Sequence, residues 1–302
     1  MTSGLSKSVL VTGGAGFIGS HLCEGLLVRG YKVRVLDSLV YGQREAVPAA
    51  CEFIEGDIRD IATCQRAAKD IHGIFHCAAM SRSGPSQEQI DVCTGSNIAG
   101  TQNMLLAARD AGVQRFIYSG SSTYYGNRPT PHRESDPADL LNVYGLTKRV
   151  GEQYCLLFDE GFDLPTVILR YFSVYGPRQP ETGAYALVLG IFLRRYADDQ
   201  VLEIHGDGQQ RRDFVHVRDV VAANIAAYQS QVRREVFNVG SGECFSVKEL
   251  ANMISPRHIH TEGRKGDSAA TLADISKIKA VLGWAPQISF AEGLKELKAL
   301  AR

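Results

Sequence analysis

The chain has no excess of charge of either sign. Thirty-three basic and 33 acidic residues give a formal net charge of zero. A basic excess or a polybasic run would point to nucleic acid or an anionic membrane surface; neither is an expected partner. Long apolar runs are missing too. The longest, Ala184 to Leu193, is half the ~20 residues that cross a bilayer, and the first, residues 9–11, is too short for a secretion signal. The seven cysteines form no C-x-x-C pair and their number is odd. That argues against a disulfide framework or a cysteine zinc site and for small buried thiols in a reducing compartment. A cytoplasmic protein without a structural metal is expected. Internal repeats, low-complexity tracts and flexible linkers are absent. What is left is an ordinary globular chain of 302 residues, long enough for one large domain or two joined ones.

What the chain does have is glycine in a particular place. Val9-Leu10-Val11 reads as a short buried strand, followed by Thr12 and by Gly13, Gly16 and Gly19 in a G-x-x-G-x-x-G arrangement around Phe17 and Ile18. Leu22, Leu26 and Leu27 then recur at helical spacing. A turn without Cβ atoms lets backbone N–H groups approach a pyrophosphate, and the new helix turns its positive end toward it. A second strand, 32–36, ends at Asp37, 18 residues after Gly19. An acid at about that distance accepts from the adenosine ribose and repels a 2′-phosphate, so NAD is favoured over NADP. Arg34 and Arg44 leave NADP open.

The pattern continues with a strand at 52–54, a polar helix at 60–70, a strand from Ile71 to His76 running into Cys77-Ala78-Ala79, and a Ser/Gly/Pro loop at 81–90. A long helix at 91–111, a strand at 115–118, a loop at 126–141, a helix at 142–160 and a strand at 165–169 follow. Strands alternating with helices imply a doubly wound, mostly parallel sheet. After Tyr171 the elements shorten: a helix at 184–197, a strand at 214–217, a helix at 219–229 and a strand at 237–239. The expected division is a dinucleotide-binding domain at 1–172 and a smaller, lid-like domain at 173–302, with 213–238 packing back on the sheet.

Tyr144 and Lys148 are four apart, on one face of a helix. A phenol with pKa near ~10 is a poor base at neutral pH. An ammonium one turn away, together with a positive nicotinamide, stabilises the phenolate and lowers that value. The pair then suits proton transfer at a sugar hydroxyl, and Ser121, at a strand's C-terminal end, is placed to bond the same hydroxyl. Taken alone, Y-x-x-x-K more often marks a plain surface helix; the glycine turn upstream decides for chemistry. His76 reads as a core histidine, and Cys77 as packing rather than a nucleophile.

The chain resembles the extended short-chain dehydrogenase/reductase family, in its nucleotide-sugar epimerase/dehydratase branch. The matching pieces include TGGAGFIGSHL (12–22), GDIRD (56–60), HCAA (76–79), NIAGTQN (97–103), SGSSTYYG (119–126), YGLTK (144–148), LRYFSVYGPRQ (169–179), GDGQQRRDFVHVRD (206–219) and FNVGSG (237–242). They run through almost the whole chain in the expected order. The resemblance implies an α/β Rossmann-like sheet with a smaller α/β substrate-binding domain, and residue roles. Asp57 and Ile58 would flank the adenine. Ala78, Ala79, Asn97 and Tyr171 would line the cofactor. Tyr144 would be the base, Lys148 would hold the nicotinamide ribose, and Ser121 would partner Tyr144. Arg212 and Arg264 would clamp the nucleotide diphosphate, with Asp267 beside it, and Ser81, Arg82, Ser122 and Ser173 would meet the sugar.

Relatives that dehydrate or decarboxylate carry carboxylates just after the catalytic Ser/Thr; here Ser122 and Thr123 stand there, which favours simple 4-epimerisation of a UDP-sugar. Ser173 replaces the family's usual Asn. With Arg82 it leaves a UDP-glucuronate 4-epimerase open, although a solvated loop arginine is the commoner case. Thr271, where a large aromatic would restrict bulk, permits an N-acetylhexosamine. A dehydratase or reductase of the same fold is a further alternative. A non-catalytic NAD-binding regulator is disfavoured by the presence of both Tyr144 and Lys148. As in relatives, a homodimer through helices 91–111 and 142–160 is expected.

Overall fold

The computed structural model describes residues 7–81, 83–181, 186–262 and 269–301. Its first half alternates as expected: β1 (Ser8–Thr12), α1 (Phe17–Val28), β2 (Lys32–Asp37), β3 (Glu52–Glu55), α2 (Ile61–Ala68) and β4 (Gly73–His76). Then come α3 (Ser83–Glu88), α4 (Ile90–Thr94), α5 (Gly100–Asp110), β5 (Arg115–Ser121), α6 (Val143–Phe162) and β6 (Thr166–Tyr171). The second half is built of shorter pieces: β7 (Ser173–Tyr175), α7 (Val188–Ala197), β8 (Leu202–His205), β9 (Arg211–Arg212), β10 (Phe214–His216), α8 (Val217–Gln229) and β11 (Glu235–Val239). The last are β12 (Phe245–Ser246), α9 (Val247–Ile254), β13 (His258–Thr261), α10 (Ser276–Leu282) and α11 (Phe290–Leu300).

Among the described residues the main sheet has seven strands in the order β11-β6-β5-β4-β1-β2-β3, and every neighbouring pair is parallel. Such strands are covered on both faces, and Val9, Leu10 and Val11 are fully buried. One face packs Leu22 and Leu26 of α1 and Val220 of α8. The other packs Cys64 of α2, Met104 of α5 and Cys155 of α6. The order reverses between β1 and β4, where Thr12 and His76 stand side by side. Ligands bind outside the strand ends at such a switch point.

A third core gathers Tyr175, Phe192, Ile204, Phe214, Leu250 and Leu294 from the second half. Three two-stranded sheets, β7–β10, β8–β13 and β9–β12, frame it. The segment after α10 is tied to α8: the Trp284 indole N–H donates to the Asp219 carbonyl at 3.0 Å, and the Asp219 carboxylate accepts from the N–H groups of Gln287 and Ile288.

Several local expectations are corrected. Residues 81–90 are not only loop: Ser83–Glu88 is a helix, and the Ser86 hydroxyl accepts from the N–H of Tyr144 at 3.1 Å. The expected helix 91–111 is interrupted by a π turn at Gly95–Ala99. Helix α7 begins at Val188, and residues 184 and 185 of its expected start lie outside the described residues.

Candidate active site

A cleft of about 1480 Å³ runs along the C-terminal ends of the sheet and into the second half. That exceeds the ~300–1,000 Å³ usual for one ligand.

At one end lies the glycine turn. Gly13 has φ +70°, and a Cβ there would stand 2.7 Å from the Ala78 nitrogen; at Gly19 it would stand 2.1 Å from the Gly13 carbonyl oxygen. The turn is therefore pressed between β4's extension and α1, with no side chain able to yield. Gly16 is the N-cap of α1 and makes no side-chain cap bond. The first-turn N–H groups at Phe17 and Ile18, both lining the cleft, suit anionic oxygens. The close backbone packing that only glycine permits brings these N–H groups to the cleft as a cradle, and it fits the pyrophosphate of a dinucleotide.

A directional chain of hydrogen bonds holds the turn to β4. The Thr101 hydroxyl donates to the Asn97 carbonyl at 2.7 Å, so the His76 Nε2–H donates to Thr101 Oγ1 at 3.1 Å. The His76 Nδ1 then accepts from the Thr12 hydroxyl at 2.8 Å, whose oxygen accepts from the Ala78 N–H at 3.2 Å. His76 is thus the core histidine expected, neutral, its pKa pushed down to about 3 by burial and then by the Lys148 charge.

Asp37 ends β2 with its carboxylate fixed by the N–H groups of Ala15 (3.0 Å) and Leu39 (2.9 Å) and lines the cleft. Arg34 and Arg44 do not line it. Arg34 pairs with Glu52 at 2.9 Å, and Arg44 lies over the Phe53 ring at 4.4 Å. The acid therefore faces the ligand without the two cations that had left a 2′-phosphate open. Asp57, Ile58, Ala78 and Ala79 line the same end. The Arg59 guanidinium, 2.7 Å from Asp57, holds that carboxyl below its usual range. Asn97 is buried, its amide spent on the N–H and carbonyl of Met80 and on Thr147 Oγ1, so that it braces Met80, which lines the cleft.

In the middle, Ser121, Tyr144, Lys148 and Tyr171 share the wall. Asn142 caps α6, its Oδ1 accepting from the Gly145 N–H at 2.8 Å, so the helix starts where Tyr144 is needed. Lys148 is buried, its ammonium 4.3 Å from the centre of the Tyr118 ring. Burial pushes its pKa down to about 8. The Ser121 oxygen accepts from the N–H and the hydroxyl of Thr123 at 3.3 and 2.9 Å, leaving its own proton to donate outward. The Tyr171 hydroxyl, between Ser119 Oγ (3.2 Å) and Asn224 Oδ1 (2.9 Å), is kept protonated by burial.

At the far end Ser81, Ser122, Ser173, Arg212 and Thr271 line the cleft. Arg82, Arg264 and Asp267 lie outside the described residues. The buried carboxylate of Asp213 organises this end, accepting from the N–H groups of Ser241, Gly242 and Ala273, while its own N–H faces Thr271 Oγ1 at 3.4 Å. Arg211 turns away to Glu249 and the Cys244 carbonyl. Sequence reasoning missed Gln179, which lines the cleft, and the Arg195–Glu203 pair, 2.8 Å apart on its wall. Gln179 follows β7, and the ion pair joins α7 to β8, whose packing no local pattern announces.

The family model described as the NAD dependent epimerase/dehydratase family matches residues 9–240. A UDP-glucose 4-epimerase of Corynebacterium glutamicum is 33% identical over 92% of this chain and 91% of its own. The crystal structure of the Thermotoga maritima UDP-glucose 4-epimerase with UDP-glucose superposes with a TM-score of 0.93 at 34% identity, covering 97% of each chain. That of the Thermus thermophilus UDP-glucose 4-epimerase complex with NAD gives 0.91 at 33% identity over 98% of this chain and 99% of the other. With the parallel sheet, the glycine cradle and the Tyr144/Lys148 pair on one cleft, these matches establish that the chain belongs to the NAD-dependent epimerase/dehydratase family.

Proposed function

We propose that the protein interconverts the 4-epimers of a UDP-sugar, UDP-glucose and UDP-galactose first among them, with NAD as resident cofactor. One observation carries the reading: Ser121, Tyr144 and Lys148 line the cleft that holds the glycine cradle, and Ser122 and Thr123 place no carboxylate beside Ser121. Gly13, Gly16, Phe17, Ile18 and Gly19 would receive the pyrophosphate, Asp37 the adenosine ribose, and Asp57, Ile58, Ala78 and Ala79 the adenine side. When bound, NAD supplies the acceptor for the C4 hydride and its return to the other face.

The chain moves the proton. Tyr144 takes it from the 4-hydroxyl and later gives it back. The Lys148 ammonium favours the phenolate, and the outward Ser121 proton bonds the sugar oxygen. Arg212, with Arg264 and Asp267, would hold the diphosphate. Ser81, Arg82, Ser122 and Ser173 would meet the sugar, and the small Thr271 supports tolerance of an N-acetyl group. The first half of the chain would thus hold the cofactor and the second the nucleotide sugar.

Tyr144→Phe should lower turnover by ~10²–10⁴ while the circular dichroism spectrum stays that of the parent. Retained turnover would remove Tyr144 as the base.

A homodimer through the outer faces of residues 91–111 and 142–160 belongs to the same proposal. Leu146, Leu157 and Phe162 of α6 support it, being 48%, 59% and 51% exposed. So does a cytoplasmic setting: the seven cysteines are free thiols, and no helix among the described residues is long and apolar enough to cross a membrane.

A further inference from the structure

Helix α6 carries one more polar residue in line with the pair already described. Tyr144, Lys148 and Glu152 follow at intervals of four, and Glu152 is buried. It takes two arginines: Arg149, three residues back on α6, donates to its Oε1 at 2.6 Å, and Arg170 on β6, 2% exposed, reaches it from the sheet. The guanidinium meets the carboxylate in a fork, Nε to Oε2 at 3.0 Å and Nη2 to Oε1 at 2.7 Å. Its third arm donates to the Tyr125 hydroxyl at 2.8 Å. Its face lies on Tyr124, 3.6 Å from the ring centre. Tyr124 and Tyr125 close the 3₁₀ turn that begins at Ser122, directly after Ser121. Gly120 stands in register with Arg170, and a Cβ there would come within 3.3 Å of the Arg170 Cγ. The arginine stem fills the space that the missing side chain leaves.

A buried ion pair contributes little stability relative to apolar residues of the same volume. This pair does something apolar residues could not: its fork and its flat face fix two elements at set angles. One element, α6, carries Tyr144 and Lys148. The other, the 3₁₀ turn, is capped by Ser121 and carries the hydroxyl residues after it. We infer that Arg170, held by Glu152, is a positioning residue that sets the distance between Ser121 and Tyr144. The inference rests on the epimerase reading above for its kinetic consequence, but not for its structural one.

The test compares the wild-type protein with Arg170→Met/Glu152→Leu, which removes both charges together, and with Arg170→Lys, which keeps the charge and loses the fork. With UDP-glucose as substrate, the double variant should keep KM within about threefold and its melting temperature near that of the parent, and lose roughly 100-fold in kcat, the size expected for a displacement of about 1 Å. Arg170→Lys should recover part of that loss. An unchanged kcat in the folded double variant would overturn the inference.

A second readout needs no turnover. Amide hydrogen exchange at 119–126 and 143–148 should quicken at least tenfold in the double variant, with exchange in β1 and β2 unchanged; unaltered exchange at 119–126 would also overturn it. Tyr124→Leu, which leaves the ion pair in place and removes the stacked face, gives the same two readouts if the double variant does not fold. A wild-type protein inactive on every UDP-sugar would count against the epimerase reading alone, since the exchange result still decides the clamp.

Discussion

Replacing Gly19 by alanine should weaken cofactor binding while leaving the protein folded. The added Cβ would sit 2.1 Å from the Gly13 carbonyl oxygen, 2.8 Å from its carbon and 2.9 Å from Gly14 Cα. All three are backbone, so no rotamer change relieves the clash. Gly13 cannot retreat, because its own Cα already faces the Ala78 nitrogen and its φ of +70° suits glycine alone. Restoring ordinary contact, roughly 3.5 Å, moves α1 away from the turn by over ~1 Å. Overpacking of this kind costs about 1–3 kcal/mol of stability. A displacement of about 1 Å between a ligand and the groups that hold it costs ~10²-fold, or about 2.7 kcal/mol.

Calorimetric titration of the cofactor-stripped protein with NAD reads the effect directly; the prediction is a roughly hundredfold weaker Kd. Gly161→Ala is the control. Nothing lies within 4 Å of its added Cβ, it sits near the end of α6, and it should gain about 0.5 kcal/mol with NAD affinity unchanged. NAD binding by Gly19→Ala within threefold of the parent would refute the reasoning from the glycine cradle.

Other outcomes follow from the same geometry. His76 is neutral when folded, with a pKa near 3, whereas the unfolded chain takes up that proton near ~6.5. Unfolding therefore binds a proton as pH drops from 6.5 toward 3, and stability falls across that window by about 1.4 kcal/mol per unit. Urea unfolding of His76→Gln should show a slope against pH shallower by that amount between pH 6 and 4, and an equal slope would contradict the assignment. Leu146→Asp with Leu157→Asp should convert a dimer to a monomer by light scattering. An unchanged mass at the dimer value would place the interface elsewhere.

The parts of the site that could be read from sequence are those written locally. The turn at Gly13, Gly16 and Gly19 has its strand, helix and acid within one βαβ unit, and Tyr144 with Lys148 is a pair at helical spacing; the structure brings both to one cleft. The parallel sheet followed from alternation alone, and its order adds the switch point at β1 and β4. What stayed hidden is non-local. The network around Asn97 is one case: its partners, Met80 and Thr147, lie 17 and 50 residues away in the chain. Ser86 accepts from the Tyr144 N–H at the start of α6 from 58 residues off, out of a stretch whose Ser, Gly and Pro content hides a short helix. Arg170 lies one residue past the strand expected at 165–169, and nothing marks it until Glu152 and Tyr124 are placed around it. The small strands β7 to β10 pair through two to four residues each, too few for periodicity to register.

The central claim is that this cleft turns over C4 of a UDP-sugar without net oxidation. The direct measurement incubates the purified protein with UDP-glucose, and separately with UDP-galactose, with no added reductant, and resolves the products by chromatography and mass spectrometry. Both reactions should converge on one ratio of the two epimers at unchanged mass. A product lighter by water or carbon dioxide, or a stoichiometric accumulation of NADH, would contradict it.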